Sequence, residues 1–70
     1  MTIDEYCKSV NFPLMKIYGK MNGFIWYIEK DPPKGATGVP IMIRENVKLN
    51  KFEILNSDQT FAAMDLFRKG

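Results

Sequence analysis

Two short segments near the middle of the chain alternate between apolar and polar side chains, and an Asn-Gly pair lies between them. The segments cover residues 14–20 and 24–30. Such alternation is typical of half-buried β-strands, and Asn22-Gly23 accepts the positive φ angles of a type I′ turn. The pattern therefore predicts a β-hairpin over residues 14–30.

The turn at Asn22-Gly23 also predicts which residues of this hairpin face each other. Centred there, the register places Met21 opposite Phe24, Gly19 opposite Trp26, Ile17 opposite Ile28 and Lys16 opposite Glu29. One face of the hairpin is then apolar and inward. The other face carries Lys16, Tyr18, Lys20, Ile25, Tyr27 and Glu29, with Tyr18 directly opposite Tyr27.

A short helix is predicted before the hairpin. Thr2 and Glu5 have the spacing of a capping box, in which each side chain binds a backbone N–H group of the other residue. Apolar side chains then recur at helical spacing at Ile3, Tyr6, Cys7 and Val10. Asn11 tolerates the left-handed conformation that ends a helix, and Pro13 prevents its continuation.

The segment after the hairpin contains a loop and further strands. Prolines and glycines predict a loop over residues 31–38, and alternation at residues 39–44 predicts a strand. Beyond it the apolar positions switch from odd to even numbers, which requires a turn or a bulge. We expect a turn within residues 45–51 and a short strand over 51–55, with one long bulged strand as the alternative.

The last segment is predicted to be a second helix, capped by Asn56 or Ser57. Its apolar stripe contains Phe61, Met64 and Phe67, widened by Ala63 and Leu66. The element order predicts a single α+β domain over residues 1–70: a helix, an antiparallel meander of three or four strands, and a helix. With both helices on one face of the sheet, the opposite face is left open.

Composition limits the chemistry that this chain can carry. The sequence has one cysteine and no histidine, so it forms no internal disulfide and no Cys/His zinc site. It has a formal net charge of only +2 at pH 7, and its lysines and arginines are scattered. It has neither a membrane-spanning apolar stretch nor a secretory signal, and a free thiol fits a reducing compartment. We therefore expect a cytoplasmic protein.

The open face of the hairpin is the best candidate for a binding surface. Aromatic rings beside cations can stack on nucleic-acid bases and neutralise phosphate, while tyrosines beside apolar side chains suit a protein interface. Cross-strand Tyr–Tyr and Lys–Glu pairs also stabilise a sheet without any ligand, so all three interpretations stay open. The candidate binding residues, for protein or nucleic acid, are Lys16, Tyr18, Lys20, Ile25, Tyr27, Lys30, Lys34 and Arg44.

Catalytic chemistry is not expected. Cys7 lies on the apolar stripe of the first helix and has no histidine to deprotonate it. The loop at Lys34-Gly35 lacks the spacing of a phosphate-binding P-loop. The carboxylates form neither a metal site nor an acid/base couple. We predict no enzyme activity, no cofactor and no metal.

The order helix–three strands–helix resembles that of the double-stranded-RNA-binding domain and of the small HicA-type toxins. RNA-binding members of the first family carry a lysine cluster at the start of the last helix, whereas residues 56–60 here contain no basic side chain. The HicA-type toxins use a histidine, and this chain has none. The order also resembles that of integrase arm-binding domains, which lay a basic three-stranded sheet in the DNA major groove. The resemblance therefore rests on the order of the elements alone.

Together these features predict a non-enzymatic small binding module that uses the open sheet face. Its partner is expected to be another protein or a second copy of the chain, as in the adaptors and inhibitors that phages and other mobile elements encode. The alternative is a nucleic-acid-binding domain that uses the Tyr/Lys face of the hairpin.

Overall fold

The structure, a computed structural model, describes residues 1–32, 34–35 and 38–68. Its elements are α1 (Ile3–Ser9), β1 (Met15–Met21), β2 (Phe24–Glu29), β3 (Met42–Asn46), β4 (Lys51–Ile54) and α2 (Ser57–Leu66). The strands form one antiparallel sheet in the order β1-β2-β3-β4. The predicted α+β meander between two helices is confirmed, and its fourth strand is a separate element.

Both helices begin at a side-chain cap. Thr2 donates its backbone N–H to Glu5 Oε1 at 2.7 Å, and its hydroxyl accepts from the Glu5 N–H. Asn56 makes the same reciprocal pair of bonds with Gln59 at the start of α2. These bonds satisfy N–H groups that would otherwise have no partner within the helix.

The two tight turns of the sheet lie where the sequence predicts them. In the first hairpin, Asn22 has a φ of 52° and Gly23 a φ of 82°, as a type I′ turn requires. Residues 47–50 connect β3 to β4, and Asn50 adopts a φ of 53°. The apolar positions therefore change parity across a turn rather than across a bulge in one long strand.

The register of the first hairpin is as predicted only near its turn. Gly19 faces Trp26 as expected, but the register then shifts by one residue, so that Ile17 faces Tyr27 and Lys16 faces Ile28. The predicted pairs Ile17–Ile28 and Lys16–Glu29 are therefore wrong. Tyr18 is the extra residue, a β-bulge in the edge strand.

The sheet has an apolar core on each of its two faces. One core contains Cys7, Met15, Tyr27 and Ile43, and the other contains Trp26, Met42, Leu55 and Ala63. Consecutive residues of a strand point to opposite faces. Because Cys7 belongs to α1 and Ala63 to α2, the helices cover opposite faces, and the prediction that both lie on one face is wrong.

The sequence signal for this arrangement is a pair of adjacent apolar residues in each central strand. Met42 and Ile43 are both 0% exposed although they follow each other in β3. Trp26 and Tyr27 are likewise both buried in β2. A sheet covered on one side would bury only one residue of each pair, so two buried neighbours require cover on both sides. We call the two sides the α1 face (Tyr27, Ile43) and the α2 face (Trp26, Met42).

Helix α2 is rotated relative to the predicted stripe. It buries Thr60 and Ala63 and packs Met64 and Phe67 against the α2 face. Phe61, which the stripe predicts to be inward, is 54% exposed. The helix therefore has apolar side chains both on the sheet and on its outer side.

The loop over residues 31–38 is only partly described. Pro33, Ala36 and Thr37 lie outside the described residues. On either side of the loop, Ile41 donates its backbone N–H to Glu29 Oε1 at 3.0 Å. This bond connects the end of β2 to the approach to β3, which begins later than the predicted strand, at Met42.

Candidate functional site

The two tyrosines of the predicted binding face are on opposite faces of the sheet. Tyr27 is 7% exposed and packs with Cys7 and Ile43 on the α1 face. Tyr18 is half-buried on the α2 face, where its ring meets Phe67 edge-on at 5.8 Å between centroids. The bulge at Tyr18 causes this separation, because one extra residue reverses the side to which the preceding part of the strand points.

The hydroxyl of Tyr27 is used within the fold. It donates a hydrogen bond to Glu45 Oε1 at 2.9 Å. Burial, followed by this bond and the negative charge of Glu45, raises the pKa of Tyr27 to about 12. The predicted role of Tyr27 as an exposed contact residue is therefore wrong.

The other predicted binding residues do not form one surface. Lys16, Lys20, Lys30 and Lys34 are exposed, but Lys16 faces Ile28 and Lys20 faces Ile25, so these two lysines lie on opposite faces. Ile25 is half-buried against the core of the α1 face. The predicted Tyr/Lys face is therefore divided: Lys16 and Tyr18 lie on the α2 face, whereas Lys20, Ile25 and Tyr27 lie on the α1 face.

Arg44 is half-buried, and its side chain contacts residues of the neighbouring strands. Its guanidinium pairs with Glu53 and lies 5.1 Å from the centroid of the Phe24 ring. Its Nε is buried and has no hydrogen-bond partner among the described residues. Arg44 thus stabilises β2, β3 and β4 against each other on the α2 face.

The structure assembles a different surface where α2 passes the edge strand β1. A groove there is lined by Tyr18, Phe61, Met64, Asp65 and Arg68. We call it the β1–α2 groove. It exists because the ring of Phe67 contacts the backbone of Gly19, which brings the end of α2 close to β1 beside Tyr18.

The groove has an apolar floor and a charged rim. Tyr18 and Met64 are half-buried at its base, and Phe61 projects further into solvent. At the rim, Arg68 Nη1 lies 3.5 Å from Asp65 Oδ1, and both side chains are largely exposed. Such exposed ion pairs contribute little to stability, so both groups remain available to a ligand.

Lys16 adds a further positive charge near this rim. It is exposed and lies on the same face of β1 as Tyr18, because its partner Ile28 packs in the α2-face core. Arg68 and Asp65 offset each other in the lining of the groove, and Lys16 adds one exposed positive charge outside it.

Of the residues that line the groove, only Tyr18 is a binding residue predicted from the sequence. The apolar stripe of α2 predicts Phe61 and Met64 to be in the core, and nothing in the sequence marks Asp65 or Arg68 as part of a site. The sequence signal for an exposed apolar residue was the width of the apolar stripe on α2. The stripe covers more of this short helix than one packed face requires, and it consists of Phe61, Ala63, Met64, Leu66 and Phe67.

The titratable groups with clearly shifted pKa values do not line this groove. Burial, and then the charge of Asp4, raises the pKa of the Cys7 thiol, which is in the α1-face core. Tyr27 lies in the same core. Among residues 1–32, 34–35 and 38–68, no three His, Cys, Asp or Glu side chains are close enough to hold a metal ion.

No family model matches this chain, and no curated protein or solved structure is similar enough to count as a match. None of the described helices has the length and apolar character needed to cross a membrane. A function for this chain therefore has to be inferred from its own surface.

Proposed function

We propose that this chain is a non-enzymatic protein-binding module whose contact surface is the β1–α2 groove. The occupant is a peptide segment of another protein that inserts an apolar side chain and carries acidic residues beside it. The observation that carries the proposal is the exposure of Phe61, at 54%, next to Tyr18 and Met64. This surface replaces the hairpin face that the sequence predicts.

The exposed ring of Phe61 is the apolar group that a partner can cover. Full burial of a phenylalanine side chain is worth about 1.5–3 kcal/mol, and more than half of this side chain stays exposed. A partner that covers Phe61 recovers much of that free energy. Tyr, Phe, Met and Arg, four of the five residue types that line the groove, are enriched at protein interfaces.

The charge of the rim defines the chemistry of the partner. Arg68 and Asp65 offset each other at the rim, and Lys16, on the same face of β1 as Tyr18, leaves one exposed positive charge beside the groove. An acidic segment complements this potential, whereas a basic segment is repelled. We therefore propose an acidic peptide rather than a basic or neutral one.

We propose a non-enzymatic role because the two side chains with raised pKa values lie away from the groove. Cys7 and Tyr27 are inside the α1-face core, on the other side of the sheet from the groove. Neither side chain can reach a ligand bound at Phe61. The groove itself offers an aromatic floor and one exposed ion pair, which suit binding rather than group transfer.

The test uses synthetic peptides with a central leucine or phenylalanine and acidic, neutral or basic flanks, followed by fluorescence anisotropy. We expect the acidic set to bind best. Phe61→Ala should weaken binding roughly tenfold, as truncation of an interface hot spot does. Arg68→Glu should move the preference toward basic flanks.

Leu66→Ala is the matched control. Leu66 is another exposed apolar residue of α2, at 40%, but it does not line this groove. We expect this variant to bind as the wild type does. The proposal is wrong if no peptide set binds, or if Phe61→Ala and Leu66→Ala affect binding equally.

The burial of Tyr27 favours a protein partner over the nucleic-acid alternative. That alternative requires both phenol rings to be accessible for base stacking, and Tyr27 is buried. A labelled single-stranded RNA and a duplex DNA serve as probes in the same assay. Tight, salt-dependent binding to either would favour this alternative over a protein partner.

A further inference from the structure

The two edges of the sheet are built differently, and the edge formed by β1 is protected. It contains the bulge at Tyr18 and two exposed lysines, Lys16 and Lys20, with no acidic residue in the strand. Bulges and edge lysines are the devices by which proteins prevent an exposed strand from pairing with another chain. We therefore expect no strand to add at β1.

The edge formed by β4 has no bulge, and its one lysine, Lys51, is accompanied by an acidic residue, Glu53. Its pairing with β3 is regular from Lys51 to Ile54, and β4 is the last strand of the sheet. Leu55 donates its N–H to the carbonyl oxygen of Met42 at 3.0 Å. Because hydrogen bonds alternate along an antiparallel pair, Phe52 and Ile54 point their N–H and C=O groups outward.

We propose that β4 pairs with β4 of a second copy of this chain, antiparallel and about a two-fold axis through Phe52. The two four-stranded sheets then join into one. The reason is the self-complementary charge pattern of the strand: in this register Lys51 lies opposite Glu53 of the second copy, and Glu53 opposite its Lys51. An edge that carried two like charges would repel its own copy.

The shift of this register by one pair is disfavoured. Centring the axis on Glu53 instead would place the two Glu53 carboxylates directly opposite each other. Within one chain Glu53 pairs with Arg44. This pair holds the Glu53 carboxylate on the α2 face, and half of the Glu53 side chain is still exposed. Lys51 lies on the same face, since it faces Asn46 in β3 as Glu53 faces Arg44.

Apolar surface along this edge supports the pairing. On the α1 face, Phe52 stacks on Tyr6 with ring centroids 4.9 Å apart, so the axis brings two such stacks together. Ile54 is 45% exposed and Leu49, in the preceding turn, is 59% exposed. A strand of this length buries little area, so we expect a weak, concentration-dependent dimer rather than an obligate one.

The experiment is a charge swap monitored by sedimentation equilibrium over a wide concentration range. Lys51→Glu and Glu53→Lys each turn two attractive pairs into two repulsive ones, so each variant alone should dimerise roughly tenfold more weakly. In an equimolar mixture the strands are complementary again. We expect the mixture to recover wild-type association.

Two controls make the result specific to β4. Lys16→Glu changes a charge of the same type on the other edge, and Phe61→Ala changes the β1–α2 groove; both should dimerise as the wild type does. The peptide test of the groove is thus independent of this one. If Glu53→Lys fails to fold, the weakening caused by Lys51→Glu alone still decides the outcome.

A second measurement follows the backbone directly. The amide of Phe52 points outward in the monomer, so its hydrogen exchange should slow as protein concentration rises. The proposal is overturned if the protein stays monomeric into the millimolar range, if Lys51→Glu leaves association unchanged, or if the mixture does not associate.

Discussion

The aromatic ring of Phe67 lies directly against the backbone of Gly19. A β-carbon placed on Gly19 would come within 2.6 Å of three carbon atoms of that ring. Phe67 also meets Trp26 edge-on, with ring centroids 5.1 Å apart. This contact fixes the end of α2 on the sheet, and with it the position of the β1–α2 groove.

We expect Gly19→Ala to lower the free energy of unfolding by about 1–3 kcal/mol, because the new methyl group overpacks the contact with Phe67. Urea denaturation of both proteins measures the loss. The effect is steric, so it should shrink when Phe67 is also changed to alanine. A double-mutant cycle is expected to give a coupling of roughly 0.5–3 kcal/mol, and no coupling would show that the two residues do not meet.

Gly23→Ala should destabilise the protein for a different reason. Nothing lies within 4 Å of a β-carbon at Gly23, but its φ of 82° is one that an L-residue adopts at a cost. We expect a loss of about 1–2 kcal/mol in the same urea assay. Replacing Phe67 should leave this loss unchanged, which distinguishes backbone strain at Gly23 from the steric conflict at Gly19.

The raised pKa of Tyr27 makes the fold sensitive to alkaline pH. The phenol has a pKa of about 12 in the folded chain and about 10 in the unfolded one, so folding favours its protonated form. Its contribution to stability is complete below pH 10 and is lost as the pH rises toward 12. We expect the unfolding free energy to fall across this range.

Tyr27→Phe separates this contribution from that of every other titratable group in the chain. The variant keeps the ring but has no proton to release, so its stability should fall less steeply with pH than that of the wild type. The comparison uses urea denaturation at matched pH values. Equal slopes would mean that Tyr27 ionises as easily in the folded protein as in the unfolded one.

The sequence predicted the turn of the first hairpin correctly but placed the two tyrosines of that hairpin wrongly on one face. Asn22-Gly23 predicted the turn and the first pairs beside it, because a type I′ turn depends only on its own residues. The position of Tyr27 could not be read in the same way. It depends on a bulge at Tyr18, and neither residue type nor alternation marks that bulge.

Helix α2 shows the same limit. Its start at Asn56 was predictable, because the cap is a contact between residues three positions apart. Its rotation was not, since Phe61 and Thr60 are neighbours in sequence and only packing decides which is buried. Phe67 settles the rotation by resting on Gly19, and Phe61 is left at the surface.

The sequence by itself determined the order of the elements, the helix caps and the Asn-Gly turn, all of which arise from interactions within a few residues. Only the tertiary structure decided which face each strand residue occupies. That choice depends on register between strands, where one extra residue at Tyr18 reverses the side. The tertiary structure thereby buried Tyr27, placed the helices on opposite faces, and left Phe61 exposed beside Tyr18.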